Sequence, residues 1–290
     1  MLADAIRAET FRLTKNRTAV FWSVLFVPLM AIVFGLVTQL FMKANEAKLT
    51  EATGAPPELR QMLAGGPLNM GQALVEIASN LASPVLLLFV LIGAATLFAG
   101  DYRWETWRLI SARNSRRNLL LAKLATVAGL ALAAMGCLLI AGVIENLIRS
   151  VVVERPLAFS MTADMVGQFA ALTALSWLRI IQFVMMAALA ATLTRSLLAA
   201  LFVPLVFGVA QFFSPQALAG MGIMPDSWIA ILANPGAATD ALQAIIMGGP
   251  AKANLPEAAA LKASASLALW TLAPLAGALA WFQRQDLARE

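Results

Sequence analysis

Six stretches of this sequence stay predominantly apolar for about 17 to 25 residues each. At about 1.5 Å of rise per residue, a helix of that length crosses most or all of a hydrocarbon layer about 30 Å thick. Lipid offers the backbone no hydrogen bonds, so only helices and closed barrels can cross it. The pattern therefore predicts an all-α integral membrane protein with six transmembrane helices, in which only 13% of residues are charged.

The predicted spans form a single transmembrane domain over residues 1–290. They run approximately from Ala19 to Phe41, Leu81 to Ala99, Leu124 to Ile148, Leu172 to Leu193, Leu197 to Phe213 and Ser266 to Phe282. The first run is too long for a signal-peptide core and no small-x-small cleavage site follows it, so we interpret it as a retained signal anchor.

Lysine and arginine predict the orientation of these spans. With the amino terminus inside, the inner segments hold 13 of the 21 basic residues, the longer outer segments hold 7, and Arg179 lies within a span. Such a bias is typical of cytoplasmic loops and predicts an N-in/C-in topology. It also explains the net charge of +5 without nucleic acid as a partner.

One segment of the outer loop over residues 214–265 allows two interpretations. Ser227 to Gly248 is apolar enough for a seventh span, but Asn234, Pro235 and Asp240 interrupt it. A span broken there leaves backbone groups unpaired in lipid. We therefore expect two short re-entrant or interfacial helices before the last span, with a seventh span as the alternative.

The basic start of the chain, residues 1–17, has a helical apolar pattern. Leu2, Ile6 and Leu13 fall within about 40° of one another on a helix, and Arg12 and Lys15 fall on the opposite side. The pattern predicts an amphipathic helix on the inner membrane surface, with its basic groups near anionic headgroups. A basic tail that only sets topology is the alternative.

The inner loop over residues 101–118 mixes basic residues with Asp101, Glu105, Trp104 and Trp107. Tryptophan and arginine are typical anchors of protein interfaces, which favours a docking surface. Tryptophan is also common at the membrane interface, and that alternative stays open.

Two charged residues lie deep within predicted spans, Glu145 in the third and Arg179 in the fourth. Consecutive spans are often neighbours and both residues lie in the outer half, so we expect them to form a structural ion pair. Contact with a transported substrate and an unpartnered side chain reaching toward the interface are the alternatives.

The chain contains no motif for catalysis or metal binding. It has no histidine and one cysteine, Cys137, which we expect to fill space between helices. No lysine is followed by serine or threonine, which excludes a phosphate-binding P-loop. The energy for any uphill transport would therefore come from elsewhere.

The basic start and the inner loop together resemble the permease subunits of type-2 ATP-binding-cassette (ABC) exporters. The family's loop motif is matched by Asp101, Thr106, Arg108, the Ser115-Arg116 pair, and the run Leu119–Leu124 with Lys123. Glu105 stands where the family usually has glycine, and Arg113 where it has proline. The motif covers about 25 residues, and the layout of spans and loops covers nearly the whole chain.

The resemblance implies a cytoplasmic coupling loop that docks a separate ATPase subunit, braced by the amino-terminal helix. The implied docking residues are Asp101, Arg103, Trp104, Glu105, Thr106, Trp107, Arg108, Ser115 and Arg116. Two permeases, expected as a homodimer, would bind two ATPase subunits that hold ATP and magnesium, and this chain would bind no cofactor. An accessory protein on the outer side is a further implied partner.

Other functions stay open at this point. A secondary transporter or channel would share the multi-pass layout, as would an assembly or anchor protein without transport. The Ala, Leu, Val, Phe and Met of the spans suit a hydrophobic or amphipathic cargo. The composition and the lack of eukaryotic targeting signals indicate a bacterial inner membrane.

Overall fold

A computed structural model describes residues 2–45, 66–104, 106–107, 114–253, 255–256 and 258–285. Its helices are α1 (Leu2–Lys15), α2 (Arg17–Ala44), α3 (Met70–Ser79), α4 (Pro84–Arg103), α5 (Arg116–Val152), α6 (Ala163–Thr194), α7 (Leu197–Gly220), α8 (Trp228–Ala233), α9 (Pro235–Met247), α10 (Gly249–Ala253) and α11 (Ala259–Arg284). The two strands are β1 (Leu68–Asn69) and β2 (Leu157–Ala158), which pair in parallel.

Six of these helices are long and apolar enough to cross a membrane, namely α2, α4, α5, α6, α7 and α11. This confirms the predicted all-helical fold and its number of spans. The helices extend beyond the apolar runs because polar residues continue the helical hydrogen bonding at both ends. The longest, α5, has 37 residues, whereas the third predicted span covers only Leu124 to Ile148.

Side-chain caps determine where several of these helices begin. The hydroxyls of Ser83, Ser115, Thr162 and Ser196 each accept a hydrogen bond from a backbone N–H in the first turn of α4, α5, α6 and α7, respectively. Such caps satisfy N–H groups that lack a partner within the helix. The serine of the Ser115-Arg116 motif thus has a local structural role, since it starts α5.

Helix α6 lies at the centre of the bundle. It packs against α3, α4, α5, α7, α9 and α11, and 78% of its most apolar stretch is buried, compared with 17% in α7. Helix α7 is therefore peripheral, and the exposed side chains of Phe202, Val206 and Phe212 give it an apolar outer face.

The segment between Ser227 and Gly248 forms two short helices, α8 and α9, as predicted, and not one continuous span. The break at Asn234 is stabilised by that residue's own side chain. Its amide nitrogen donates to Ser214 Oγ at 2.7 Å and to the backbone oxygen of Gln211 at 3.1 Å. Its amide oxygen accepts from the N–H groups of Gly236 and Ala237. The polar groups at the break are thus paired within the protein.

Candidate functional site

Four charged side chains meet where α4 ends and α5 begins. Asp101 is in the last turn of α4, Lys123 in the second turn of α5, and Glu9 and Arg12 are on α1. We call these residues the four-charge cluster. Three of them are buried, with exposed fractions of 3% for Glu9, 1% for Asp101 and 1% for Lys123.

Each carboxylate of the four-charge cluster contacts both cations. Asp101 lies 2.6 Å from Arg12 Nη2 and 2.5 Å from Lys123 Nζ. Glu9 lies 3.0 Å from Arg12 Nη1 and 3.2 Å from Lys123 Nζ. Two negative and two positive groups therefore balance one another within one closed network.

Further contacts complete the hydrogen bonding of this network. Lys123 Nζ donates to the backbone oxygen of Leu97 at 2.9 Å and lies 5.2 Å from the centre of the Trp107 ring. Thr106 Oγ1 donates to Asp101. The hydrogen bond to Asp101 raises the pKa of Arg12 above its ordinary value, so the guanidinium stays charged. This pairing offsets the cost of removing the ionic groups from water.

Helix α1 extends over Leu2–Lys15, within the segment predicted to be helical, and its buried stripe shares only Leu13 with the predicted apolar face. Ala5, Glu9 and Leu13 are buried, spaced four residues apart along one stripe. Leu2 is exposed and Ile6 is half-buried. Arg12 contacts Asp101, whereas we had expected it near lipid headgroups. Sequence reasoning missed Glu9, whose acidic side chain gave no reason to place it in the core.

The two tryptophans of the inner loop have different surroundings. Trp107 is buried, with its ring centre 5.5 Å from that of Tyr102 and 4.6 Å from that of Phe282 on α11. Trp104 is 71% exposed, and the guanidinium of Arg103 lies 5.3 Å from its ring centre. Trp107 therefore anchors the loop, and Trp104 is available to a partner.

The other predicted docking residues are also divided between surface and interior. Arg103 and Ser115 are exposed, Thr106 and Arg116 are half-buried, and Asp101 is buried. Glu105 and Arg108 lie outside the described residues, as does Arg113. All nine residues remain predicted docking residues, and the exposed ones form the accessible part of the set.

A second set of contacts joins the end of α11 to the same region. Gln285 accepts a hydrogen bond from Tyr102 Oη at 2.9 Å and donates from Nε2 to the backbone oxygen of Thr192 at 2.6 Å. Its backbone oxygen accepts from Arg116. The ends of α4, α6 and α11 and the start of α5 therefore lie on the same side of the bundle as α1, which places both ends of the described chain on that side.

The prediction that Glu145 and Arg179 form an ion pair is wrong. Glu145 faces α2, where its side chain occupies the space that a β-carbon on Gly35 would need. Arg179 instead contacts α7, where its guanidinium donates to Gln211. The two residues lie on helices that pack against each other, but their side chains contact different neighbours. Depth in the membrane does not determine rotation about the helix axis.

Comparisons with known proteins give one family match. A family model described as "ABC-2 family transporter protein" matches residues 7–287, which is nearly the whole chain. Comparisons with curated proteins and with solved structures give no match.

Proposed function

This chain belongs to the ABC-2 transporter family as a membrane permease subunit, and we propose that its ATPase partner acts on it through the loop over residues 101–118. It is a multi-pass membrane protein without a catalytic domain. Permeases of this family generally pair with separate ABC ATPase subunits, and the membrane subunits bind no cofactor themselves. ATP and magnesium would be held by the partner.

The four-charge cluster is the observation that carries this proposal. The loop over residues 101–118 connects α4 to α5, and the cluster joins the ends of both helices to α1 at 2.5 to 3.2 Å. Separating one member of a buried ion pair costs about 3–5 kcal/mol. A force on the loop would therefore move α1, α4 and α5 together before it separated them.

The exposed part of the loop would supply the docking contact. Arg103 and Trp104 are both exposed and stacked on one another, and Ser115 is exposed at the other end of the loop. A large aromatic ring beside a guanidinium is the typical composition of an interface anchor. The buried Trp107, packed against Phe282 of α11, would extend the contact into the bundle.

The proposed cycle uses these contacts to change the pathway between two permeases. We expect a homodimer with N-in/C-in topology in a bacterial inner membrane, with two ATPase subunits on the inner surface. ATP binding would close the ATPase dimer and shift the permeases from inward to outward access, because one state binds the closed ATPases better than the other. The direction would be export.

The proposal is tested by co-purification from native membranes and an ATPase assay. We expect the tagged chain to bring down a soluble P-loop ATPase in stoichiometric amount. Replacing Arg103 by Glu and Trp104 by Ala should reduce its recovery at least tenfold, as expected for loss of an interface anchor worth about 2 kcal/mol.

Lys262 and Trp228 offer a matched control for this experiment. They form another cation–ring pair, 5.9 Å apart, outside the inner loop, in which Trp228 is exposed and Lys262 is half-buried. The change of Lys262 to Glu with Trp228 to Ala should leave the ATPase bound. Equal loss in both variants, or an ATPase that is absent from the wild-type preparation, would overturn the proposed docking site.

A further inference from the structure

A groove opens between α4, α6, α7 and α9, with a volume of about 730 Å³. We call it the Arg179 groove. Its lining is mostly apolar or amide-bearing, and among the residues that the structure describes the charged ones on it are Arg179 and Asp240. One groove therefore presents one positive and one negative group.

Arg179 is only partly satisfied by the protein. Among the described residues, its hydrogen-bond partners are the neutral side-chain oxygens of Gln182, at 3.2 Å, and Gln211. A guanidinium carries five N–H donors, so this residue retains capacity to bind an acceptor. The start of α9 lies beside it, since a β-carbon on Gly236 would be 3.4 Å from Arg179 Nη2. The amino-terminal end of a helix adds further positive potential.

Asp240 lines the same groove as Arg179, but the two residues do not form an ion pair. Within the part of the chain that the structure describes, no Lys or Arg nitrogen lies within 4.0 Å of its carboxylate. The two charges thus face the same space separately. This differs from the four-charge cluster, in which every charge has two partners of opposite sign.

The rest of the groove suits an apolar chain. The Phe183 ring centre lies 4.8 Å from the Arg179 guanidinium, so an aromatic face adjoins the cation. Phe212 and Val209 on α7 line the groove and are 73% and 58% exposed. A ligand seated at Arg179 could therefore lay an apolar tail along α7.

We propose that the Arg179 groove binds a zwitterionic amphiphile. Its anionic group, a phosphate or carboxylate, binds Arg179, its cationic group faces Asp240, and its apolar part contacts Phe183 and Phe212. A purely anionic or purely cationic ligand would satisfy one charge of the groove and be repelled by the other. The role of this ligand as cargo rests on the proposed transport function, whereas the binding site does not.

The binding test uses the purified chain in maltoside micelles without an ATPase. Decylphosphocholine, decyl phosphate and decyltrimethylammonium serve as probes of equal tail length, and isothermal titration measures each affinity. We expect the phosphocholine probe to bind the wild type most tightly. Arg179→Gln should weaken it about tenfold or more, because a charge-assisted hydrogen bond is lost. Asp240→Asn should weaken it less and should strengthen decyl phosphate.

Glu145 and Arg149 provide the matched control, because they line a different groove of about 670 Å³. The double variant Glu145→Gln/Arg149→Gln removes the same two types of charge and should leave phosphocholine binding unchanged. Equal affinity for all three probes, or equal weakening in this control, would overturn the site. Unchanged binding of the phosphocholine probe in Arg179→Gln would also overturn the site. That result is expected if Arg179 and Asp240 pair with each other in solution.

Two further experiments complete the test. One identifies the source of the ligand, and the other distinguishes failure of the groove proposal from failure of the proposed transport function. If a bilayer lipid is the occupant, phosphatidylethanolamine in nanodiscs will displace the probe, and if a single-chain cargo is the occupant it will not. Both results support a binding site for a zwitterion in the Arg179 groove. Probe binding without a co-purifying ATPase would refute the transport proposal alone, and a co-purifying ATPase without probe binding would refute the groove alone.

Discussion

The four-charge cluster and the Arg179 groove both place charge within the apolar bundle, but they balance it differently. In the cluster, Asp101 and Glu9 each contact both Arg12 and Lys123. In the groove, the hydrogen-bond partners of Arg179 among the described residues are neutral amide oxygens. Burial of a charge is tolerated at both places, in one case by opposite charge and in the other by dipoles and partial access to the groove.

The difference separates structural charge from charge available to a ligand. In a network in which every charge is paired, no charge is left to bind a ligand. Removing one member leaves an uncompensated buried ion. A cation that is hydrogen-bonded to amide oxygens keeps most of its electric field. The neutral dipoles offset the free-energy cost of its desolvation, but they do not neutralise its charge. The two sites should therefore respond in opposite ways to mutation, one through stability and the other through binding.

The largest expected effect comes from Asp101→Ala. This change leaves Lys123, which is 1% exposed, with Glu9 as its one carboxylate partner among the described residues. Arg12 likewise keeps only Glu9 among them. We expect a loss of about 3–5 kcal/mol in the free energy of unfolding, measured by denaturant titration in detergent. The double change Asp101→Asn/Lys123→Met retains the Glu9–Arg12 pair and should recover most of the loss. A double variant as unstable as the single one would contradict the charge-balance argument.

The next effect in size is that of Glu9→Gln, which weakens the attachment of α1. Its carboxylate is replaced by a neutral amide, while Asp101 still pairs with both cations. We expect about 1–3 kcal/mol of destabilisation and faster tryptic cleavage at Arg12 and Lys15. Glu76→Gln, in α3, serves as the control and should leave cleavage in α1 unchanged. Unchanged cleavage in Glu9→Gln would show that the Arg12–Asp101 pair and the buried Ala5 and Leu13 hold α1 without Glu9.

A smaller effect is expected at the groove from Gly236→Ala. The added β-carbon would lie 2.9 Å from the side-chain oxygens of both Gln211 and Asn234. Gln211 must then move away from Arg179, which should cost about 1 kcal/mol and alter affinity for the phosphocholine probe. Gly129→Ala on α5, where nothing lies within 4 Å, should leave both quantities nearly unchanged. The same loss at both glycines would indicate a general effect of the added methyl group.

The smallest change in stability is expected from Arg179→Met, compared with Lys123→Met. Removing Arg179 leaves only two amide oxygens to find new partners and removes the cost of placing a charge in the membrane. We expect a change below about 1 kcal/mol, whereas Lys123→Met leaves two carboxylates with one cation and should cost about 3–5 kcal/mol. Thermal unfolding of the two variants side by side provides the measurement. Similar losses would remove the distinction between the two sites.

The spans were predictable from the sequence because lipid imposes one requirement along the whole length of a helix. A continuous apolar stretch long enough to cross is visible without any tertiary information. The caps at Ser115 and Ser196 refine the helix starts, but they depend on backbone geometry that hydropathy does not report. The parallel pairing of β1 with β2 joins segments about 90 residues apart and has no local signal.

The charged sites were harder to predict, because the partner of a charge depends on helix rotation. Asp101 and Lys123 were both recognised as motif residues, but nothing in their spacing indicated that Glu9 completes their network. The same limit produced the wrong pairing of Glu145 with Arg179. Trp104 and Trp107 differ in burial for this reason too, since a three-residue separation does not specify which ring faces α11.

Asn16 alone separates α1 from the first membrane-spanning helix, and it caps the helix that follows. One residue of chain reaches at most about 3.6 Å, so the connection has no slack. A displacement of α1 larger than that must be passed to α2 as a tilt or a rotation. The first turns of α2 include a π-helical stretch, Phe21–Leu25, in which the backbone hydrogen bonds join residues five apart and each turn is wider than in an α-helix. A displacement of the four-charge cluster would therefore change the angle of the first membrane-spanning helix.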